Sequence, residues 1–189
     1  MKIIDGLKLD GWQVEIPGCG RDDFPEFFRD MGYKVGAEIG VMRGDYSEVL
    51  CKGGMKVYSI DPWLHRQRGF EKIARDKLKQ YVNCTIIKKF SMDALADFED
   101  ESLDFVYIDA NHNFRYVAED IYEWPKKVKK GGVVAGHDYT TLGGPGLYDV
   151  KFIVDAYTRC LQIPKWYVLG KDREVDKYRS WFWIKQLHE

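Results

Sequence analysis

Short β-rich runs alternate with segments of helical periodicity along most of this chain. That order constrains the fold more than any other feature. The runs are Val35 to Val41, Lys56 to Ile60, Cys84 to Lys88, Leu103 to Ile108 and Val133 to Gly136. Helical patterns separate them. One covers about Asp45 to Leu50, a second runs from Arg66 to Tyr81 with Phe70, Ile73, Ala74 and Tyr81 on one face, and a third lies between His112 and Val128 with Tyr116, Val117, Ile121 and Trp124 aligned. Such alternation is the pattern of βαβ units, which build a parallel sheet covered on both faces. The apolar run from Leu103 to Ile108 suits a strand buried on both sides. Pro125 is expected to end or kink its helix, and Gly131-Gly132 to turn the chain into the next strand. A glycine-rich loop, Thr140 to Tyr148, then leads to a helix carrying Val150, Ile153, Val154, Tyr157 and Leu161. Two last strands, Trp166 to Leu169 and Ser180 to Lys185, flank the charged segment Lys171 to Lys177, read as a hairpin loop. The expected architecture is a doubly wound, Rossmann-like α/β sheet of seven strands, mostly parallel, with an antiparallel C-terminal hairpin. Residues 1–34 stand apart as a helical, substrate-covering segment. Its helix begins near Asp22 or Asp23, has Pro25 in its first turn, spaces Phe24, Phe27, Phe28 and Met31 on one face, and stops at Gly32.

Composition narrows the function classes. The chain of 189 residues is 45% hydrophobic and 31% charged, which suits one globular domain rather than a disordered segment. With 29 basic against 30 acidic side chains it lacks the basic excess of a dedicated nucleic-acid binder. The run Lys126-Lys127-Val128-Lys129-Lys130 reads as a solvated helix end. No apolar run is long enough to cross a membrane, and the first residues lack the apolar stretch of a signal peptide. Cys19, Cys51, Cys84 and Cys160 are widely spaced and form no CxxC, so free thiols in a cytoplasmic, reducing setting are expected.

In a doubly wound sheet, ligands bind beyond the carboxyl ends of the strands. After the first strand comes Glu38-Ile39-Gly40-Val41-Met42-Arg43-Gly44-Asp45-Tyr46-Ser47. Gly40 and Gly44 permit a tight turn and a close backbone approach, and a helix N-terminus follows that favours an anion. The second strand ends in Asp61, 21 residues after Gly40, the spacing at which a carboxylate meets both hydroxyls of a ribose.

The Glu-x-Gly-x-x-x-Gly spacing followed by an acid resembles the class I S-adenosylmethionine-dependent methyltransferases. Ser91-Met92-Asp93 resembles their adenine-contact segment. Val106 to His112 and Lys130 to Tyr139 resemble the fourth- and fifth-strand motifs of the catechol-like and macrocin-like O-methyltransferases. The resemblance runs from about residue 35 to 186, within a methyltransferase domain placed at 35–189. It implies S-adenosylmethionine as cofactor and methyl transfer to an oxygen of a small-molecule acceptor. It implies that Glu38 sits at the methionine end or orders the first loop, that Gly40 lies under the cofactor and that Ser47 bonds its carboxylate. Asp61 would hold the ribose, while Met92 and Asp93 would flank the adenine. Trp63 is offered as a cover for the adenosine.

Asp109 and Asp138 each close a central strand, so their carboxylates can converge on Mg²⁺, a hard cation that prefers oxygen ligands. Asp109 is alternatively a direct contact of the cofactor amine. Tyr139 stands where the catechol-type pattern has Asn. His112 and His137, each beside one of these aspartates, are candidate general bases. The loop from Thr140 to Tyr148 reads as a substrate lid, and homo-oligomerisation stays open. Two rival functions remain: a nicotinamide-dependent dehydrogenase, which would also use Asp61 on a ribose, and a non-catalytic cofactor-binding module.

Overall fold

The computed structural model describes residues 1–64, 68–142, 150–170 and 175–186, together with Asp149. Its backbone is one mixed sheet of eight strands in the order β1-β7-β8-β6-β5-β2-β3-β4. The strands are β1 (Gln13–Ile16), β2 (Val35–Ile39), β3 (Lys56–Ile60), β4 (Cys84–Ile87), β5 (Leu103–Ile108), β6 (Val128–Gly136), β7 (Trp166–Leu169) and β8 (Trp181–Ile184). The central pairs β2–β3, β2–β5, β3–β4 and β5–β6 are parallel, whereas β8 runs antiparallel to both β6 and β7. The expected architecture holds with one correction: the described residues form eight strands, not seven.

The additional strand, β1, comes from the segment read as a cover. It pairs in parallel with β7 from Gln13 against Trp166 to Ile16 against Leu169. Four residues of alternating exposure are too short a signal to stand out in the sequence. Residues 1–34 are therefore built into the domain. Phe24, Phe27 and Phe28 of α2 (Phe24–Asp30) are buried against Phe105 and Tyr107 of β5 and Phe182 of β8.

Helices cover both faces, as a continuous apolar β5 requires. On one side α1 (Ile3–Gly6), α2 and α3 (Asp45–Lys52) enclose a core with Phe105, Val133 and Phe182. On the other, α6 (Phe114–Lys127) and α7 (Val150–Cys160) pack Val117, Ile121, Trp124 and Val154 on Val106, Val134 and Trp183. A smaller cluster joins Trp63 and Val41 to Ala74 and Leu78 of α4 (Arg68–Leu78). Pro125 does not stop α6, which continues to Lys127. It lies two residues before the end of α6, and the helix runs past it without the N–H donor to the carbonyl four residues back. Strand β6 starts at Val128 rather than at Val133, with an irregular register opposite Leu103–Phe105.

The strand order reverses between β2 and β5, where β2 runs on to β3 and β4 while β5 leads toward β6. That switch point is where the sheet topology leaves a crevice.

Candidate active site

A cavity of about 740 Å³ opens at this crevice, a volume suited to a nucleoside-sized ligand. The ends of β2, β3 and β5, the start of the short helix α5 (Ser91–Ala94) and one face of α6 line it. Glu38, Gly40, Asp61, Met92, Asp109 and His112 are all on its wall, so six of the sequence-predicted residues converge.

Asp61 sits at the centre of the loop architecture. Its Oδ2 accepts the backbone N–H of Val41 and of Met42, both at 2.9 Å, and its Oδ1 accepts that of Trp63 at 2.7 Å. A carboxylate has about four acceptor positions, so one remains for a ligand hydroxyl. Asp61 therefore both shapes the first loop and faces the cavity. Trp63 reinforces it: the ring is buried, and its Nε1–H donates to the Met42 carbonyl at 2.8 Å. Trp63 is a clamp on that loop and does not line the cavity.

The first-loop glycines have distinct reasons. Gly40 has φ +92°, and a Cβ there would press on the Asp109 carbonyl oxygen and lie 2.6 Å from the Ala110 Cα. Its freedom is required by the neighbouring strand end before any ligand arrives. Gly44 has φ +77° and caps α3, with Leu78 Cδ1 3.0 Å from where its Cβ would be. It touches α4 and stands outside the cavity wall.

Ser47 and Asp93 also lie off the wall. The Ser47 hydroxyl is buried, donates to Glu38 Oε2 and is 2.8 Å from the Ser59 hydroxyl, so it faces the core under the loop. Burial pushes the Glu38 carboxyl well above its ordinary range, even though the Ser47 hydroxyl bond favours the charged form. Asp93 is exposed, on the solvent side of α5. Asp120, on α6, does line the cavity. Its Oδ1 accepts the Ser91 hydroxyl, which is itself held by Trp124 Nε1 at 2.7 Å. Burial pushes the Asp120 carboxyl up to about 7. Sequence reading missed it, although a carboxylate between Val117, Ile121 and Trp124 on one helix face is an incongruity that could have marked it.

Beyond the opposite end lies a charged cluster. His112 Nε2 is 3.0 Å from Asp138 Oδ2 and 3.6 Å from Asp109 Oδ1. His137 Nδ1 is 3.4 Å from Asp138 Oδ2 and 3.8 Å from Asp109 Oδ2, while its Nε2–H donates to Asp176 Oδ2 at 2.7 Å. Asp138 adopts φ +60°, a left-handed conformation that Asp tolerates better than most residues. Burial opposes charge on both imidazoles, but the flanking carboxylates prevail and push His112 and His137 each up to about 9. The same pairings outweigh burial at Asp138 and hold it well below the usual carboxylate range. The flanking carboxylates therefore favour the charged form of both imidazoles, and a base role requires that hold to be relaxed.

Ligand atoms of Asp109, His137 and Asp138 all lie within 4.8 Å of one another, so these three could hold a divalent ion. His137 makes the donor set mixed nitrogen and oxygen. Its ring is oriented by Asp176, as metal-binding histidines commonly are by a carboxylate. Tyr139 adds nothing to that set, because its hydroxyl donates to Asp155 at 2.6 Å and accepts from Gln13 at 2.9 Å. Asp176 lies within the charged segment Lys171 to Lys177, where no periodicity marks it out. Most of the expected lid, 143–148, and most of the expected hairpin loop, 171–174, lie outside the described residues.

A family model described as a methyltransferase domain matches residues 37–139. Among solved structures, the O-methyltransferase TomG from Streptomyces achromogenes, in complex with SAM, is 16% identical, with a TM-score of 0.66 over 87% of this chain and 79% of that one. An O-methyltransferase from Bacillus cereus in complex with SAH is 19% identical, with a TM-score of 0.60 over 86% and 77%. An rRNA methylase from Streptococcus thermophilus is 14% identical, with a TM-score of 0.63 over 86% and 94%. A comparison with curated proteins gives no match. This chain belongs to the methyltransferase domain family, in line with its motif resemblance to the class I S-adenosylmethionine-dependent enzymes.

Proposed function

We propose that the chain transfers a methyl group from S-adenosylmethionine to an oxygen of a small-molecule acceptor. One observation carries this reading: a single cavity has Asp61 on its wall and Asp109 with His112 at its end, with Asp138 directly behind them. The first feature suits a ribose, and the second suits a hydroxyl that must lose its proton. Bound there, S-adenosylmethionine supplies an electrophilic methyl on a sulfonium. The chain's task is then to align the acceptor oxygen with that methyl and exclude water. The likeness to nucleotide-binding dehydrogenases ends at Asp61, and the methyltransferase family match favours the sulfonium cofactor over a nicotinamide.

Within this reading Asp61 takes a ribose hydroxyl, Met92 packs on the adenine, and Asp120 rather than Asp93 meets the base edge. Asp109, His137 and Asp138 would hold a divalent ion such as Mg²⁺, which would acidify and orient the acceptor hydroxyl. The imidazole nitrogen in that set suits Mn²⁺ or another transition metal at least as well as Mg²⁺. His112 is the base candidate on the cavity wall, and it serves only in its neutral form.

The test is incubation with S-adenosylmethionine carrying a labelled methyl and a panel of phenols, catechols and sugar hydroxyls. Label in an O-methyl product, lost in Asp109→Asn, supports the reading. Label transferred only to RNA, or to nitrogen, overturns it.

A further inference from the structure

Each of the three residues able to hold a divalent ion is aimed by something different. Asp109 Oδ2 stands 3.4 Å from Arg21 Nη1, on the cavity wall, and the His137 ring donates to Asp176 at 2.7 Å. Asp138 is aimed by its backbone, which takes φ +60° just past the end of β6. The turn that carries this conformation is centred on Tyr139. The Thr140 N–H donates to the Asp138 carbonyl at 2.7 Å, closing a three-residue turn with Tyr139 in the middle. The Tyr139 N–H donates to the Arg179 carbonyl at 3.1 Å. Its ring is buried in an edge-to-face contact with Trp166 of β7, 5.4 Å between centroids, and the Lys151 ammonium lies 4.6 Å from the ring centroid. Its hydroxyl donates to Asp155 Oδ1 at 2.6 Å and accepts from Gln13 Nε2 at 2.9 Å and from Lys151 Nζ at 3.1 Å. Lys151 Nζ also donates to Asp155 Oδ2 at 2.5 Å. The donor and the acceptor capacity of this hydroxyl are thereby both used.

We infer that Tyr139 is a positioning residue: through this network it fixes the Asp138 carboxylate toward Asp109 and His137, and so sets the chain's affinity for a divalent ion. The inference rests on the proposed divalent-ion site. A left-handed residue relaxes to an ordinary conformation unless its surroundings forbid it. Such a rotation at Asp138 would swing its carboxylate away from the other two ligands. Tyr139 is the next residue, and its side chain cannot follow that rotation without breaking buried hydrogen bonds to two other elements. Gln13 belongs to β1, and Lys151 and Asp155 belong to α7. Packing alone does not account for the arrangement, because a phenylalanine would fill the same space against Trp166. The ligand atoms of the three residues lie within 4.8 Å of one another, and they converge on one ion only while the direction of Asp138 is kept. Gln13 thereby gives the segment ahead of β2 a part in the site that is not that of a cover.

Isothermal titration of the full chain with Mn²⁺ alone, and separately with S-adenosylhomocysteine, tells positioning from general support. Tyr139→Phe keeps the ring and removes the hydroxyl. It should weaken Mn²⁺ binding about 10- to 100-fold, the usual range for a group that orients a metal ligand, and leave S-adenosylhomocysteine affinity within about twofold. Asp155→Ala should act in the same direction. Asp155→Asn keeps an oxygen to which the hydroxyl can donate, and should recover part of the loss. Asp155 is only half-buried, so this pair of variants decides the matter on the same readout if Tyr139→Phe does not fold. Unchanged Mn²⁺ affinity would overturn the inference. Equal weakening of both ligands would overturn it too, because the network would then only support the fold. If the unaltered chain binds no Mn²⁺, the divalent-ion reading itself fails and the inference falls with it.

Discussion

Replacing Gly40 by alanine tests how tightly the first loop is built. Its φ of +92° is left-handed, and adopting it costs an L-residue about 1–2 kcal/mol. The added methyl would also press on the Asp109 carbonyl oxygen and the Ala110 Cα, both backbone atoms that cannot rotate away. Overpacking of this kind adds about 1–3 kcal/mol. Gly40→Ala should therefore lose about 2–5 kcal/mol in total, a large share of the stability of an ordinary domain. Gly54 provides the control, since its φ is +88° and nothing lies within 4 Å of its would-be Cβ. Gly54→Ala should lose only the conformational part, about 1–2 kcal/mol. Urea unfolding of both variants, followed by tryptophan fluorescence, gives the two values. If they lose the same stability, the close approach of β5 to Gly40 is not a constraint, and glycine is needed there only for its dihedral angle or for a ligand.

Ser47→Ala should leave S-adenosylhomocysteine affinity within about twofold while lowering stability by about 1 kcal/mol, the usual worth of a lost hydrogen bond, as measured by calorimetry and urea unfolding on one sample. Because His112 and His137 are raised from about 6.5 unfolded to about 9 folded, their stabilisation is complete below pH 6.5 and lost as pH rises through 9. The Tm should fall across that window, and His112→Gln should flatten the fall; a Tm as steep in the variant would refute the pairing. If the divalent-ion site operates, isothermal titration should show Mn²⁺ binding that Asp138→Asn abolishes, and methyl transfer should stop in EDTA. Transfer that ignores chelation would leave Asp109 acting on cofactor or acceptor directly.

The central sheet was legible because its strands are buried on both faces and read as apolar runs between helical periods. Strand β5, Leu103–Ile108, has the boundaries its composition implies. β1 was not legible, because four residues of alternating exposure are shared by many loops. At the site, residues that end strands were readable from position alone: Asp61, Asp109 and Asp138 all reach the carboxyl edge. Side chains whose direction depends on tertiary packing were not. Ser47 lies in the first turn of α3, and only the buried Glu38 and Ser59 show that it turns inward. Arg21 and Asp176 approach from opposite ends of the chain, and no local pattern links either to the switch point. Trp63 has the composition of a stacking platform, but its ring is buried against α4 and is not on the cavity wall.

The most direct test of the account is the crystal structure of the chain with S-adenosylhomocysteine. The ribose is expected on Asp61, the base against Met92 and Asp120, and the sulfur directed toward the Asp109–His112 end. A nucleoside bound away from Asp61, or a sulfur pointing away from the Asp109, His112 and Asp138 cluster, would contradict it.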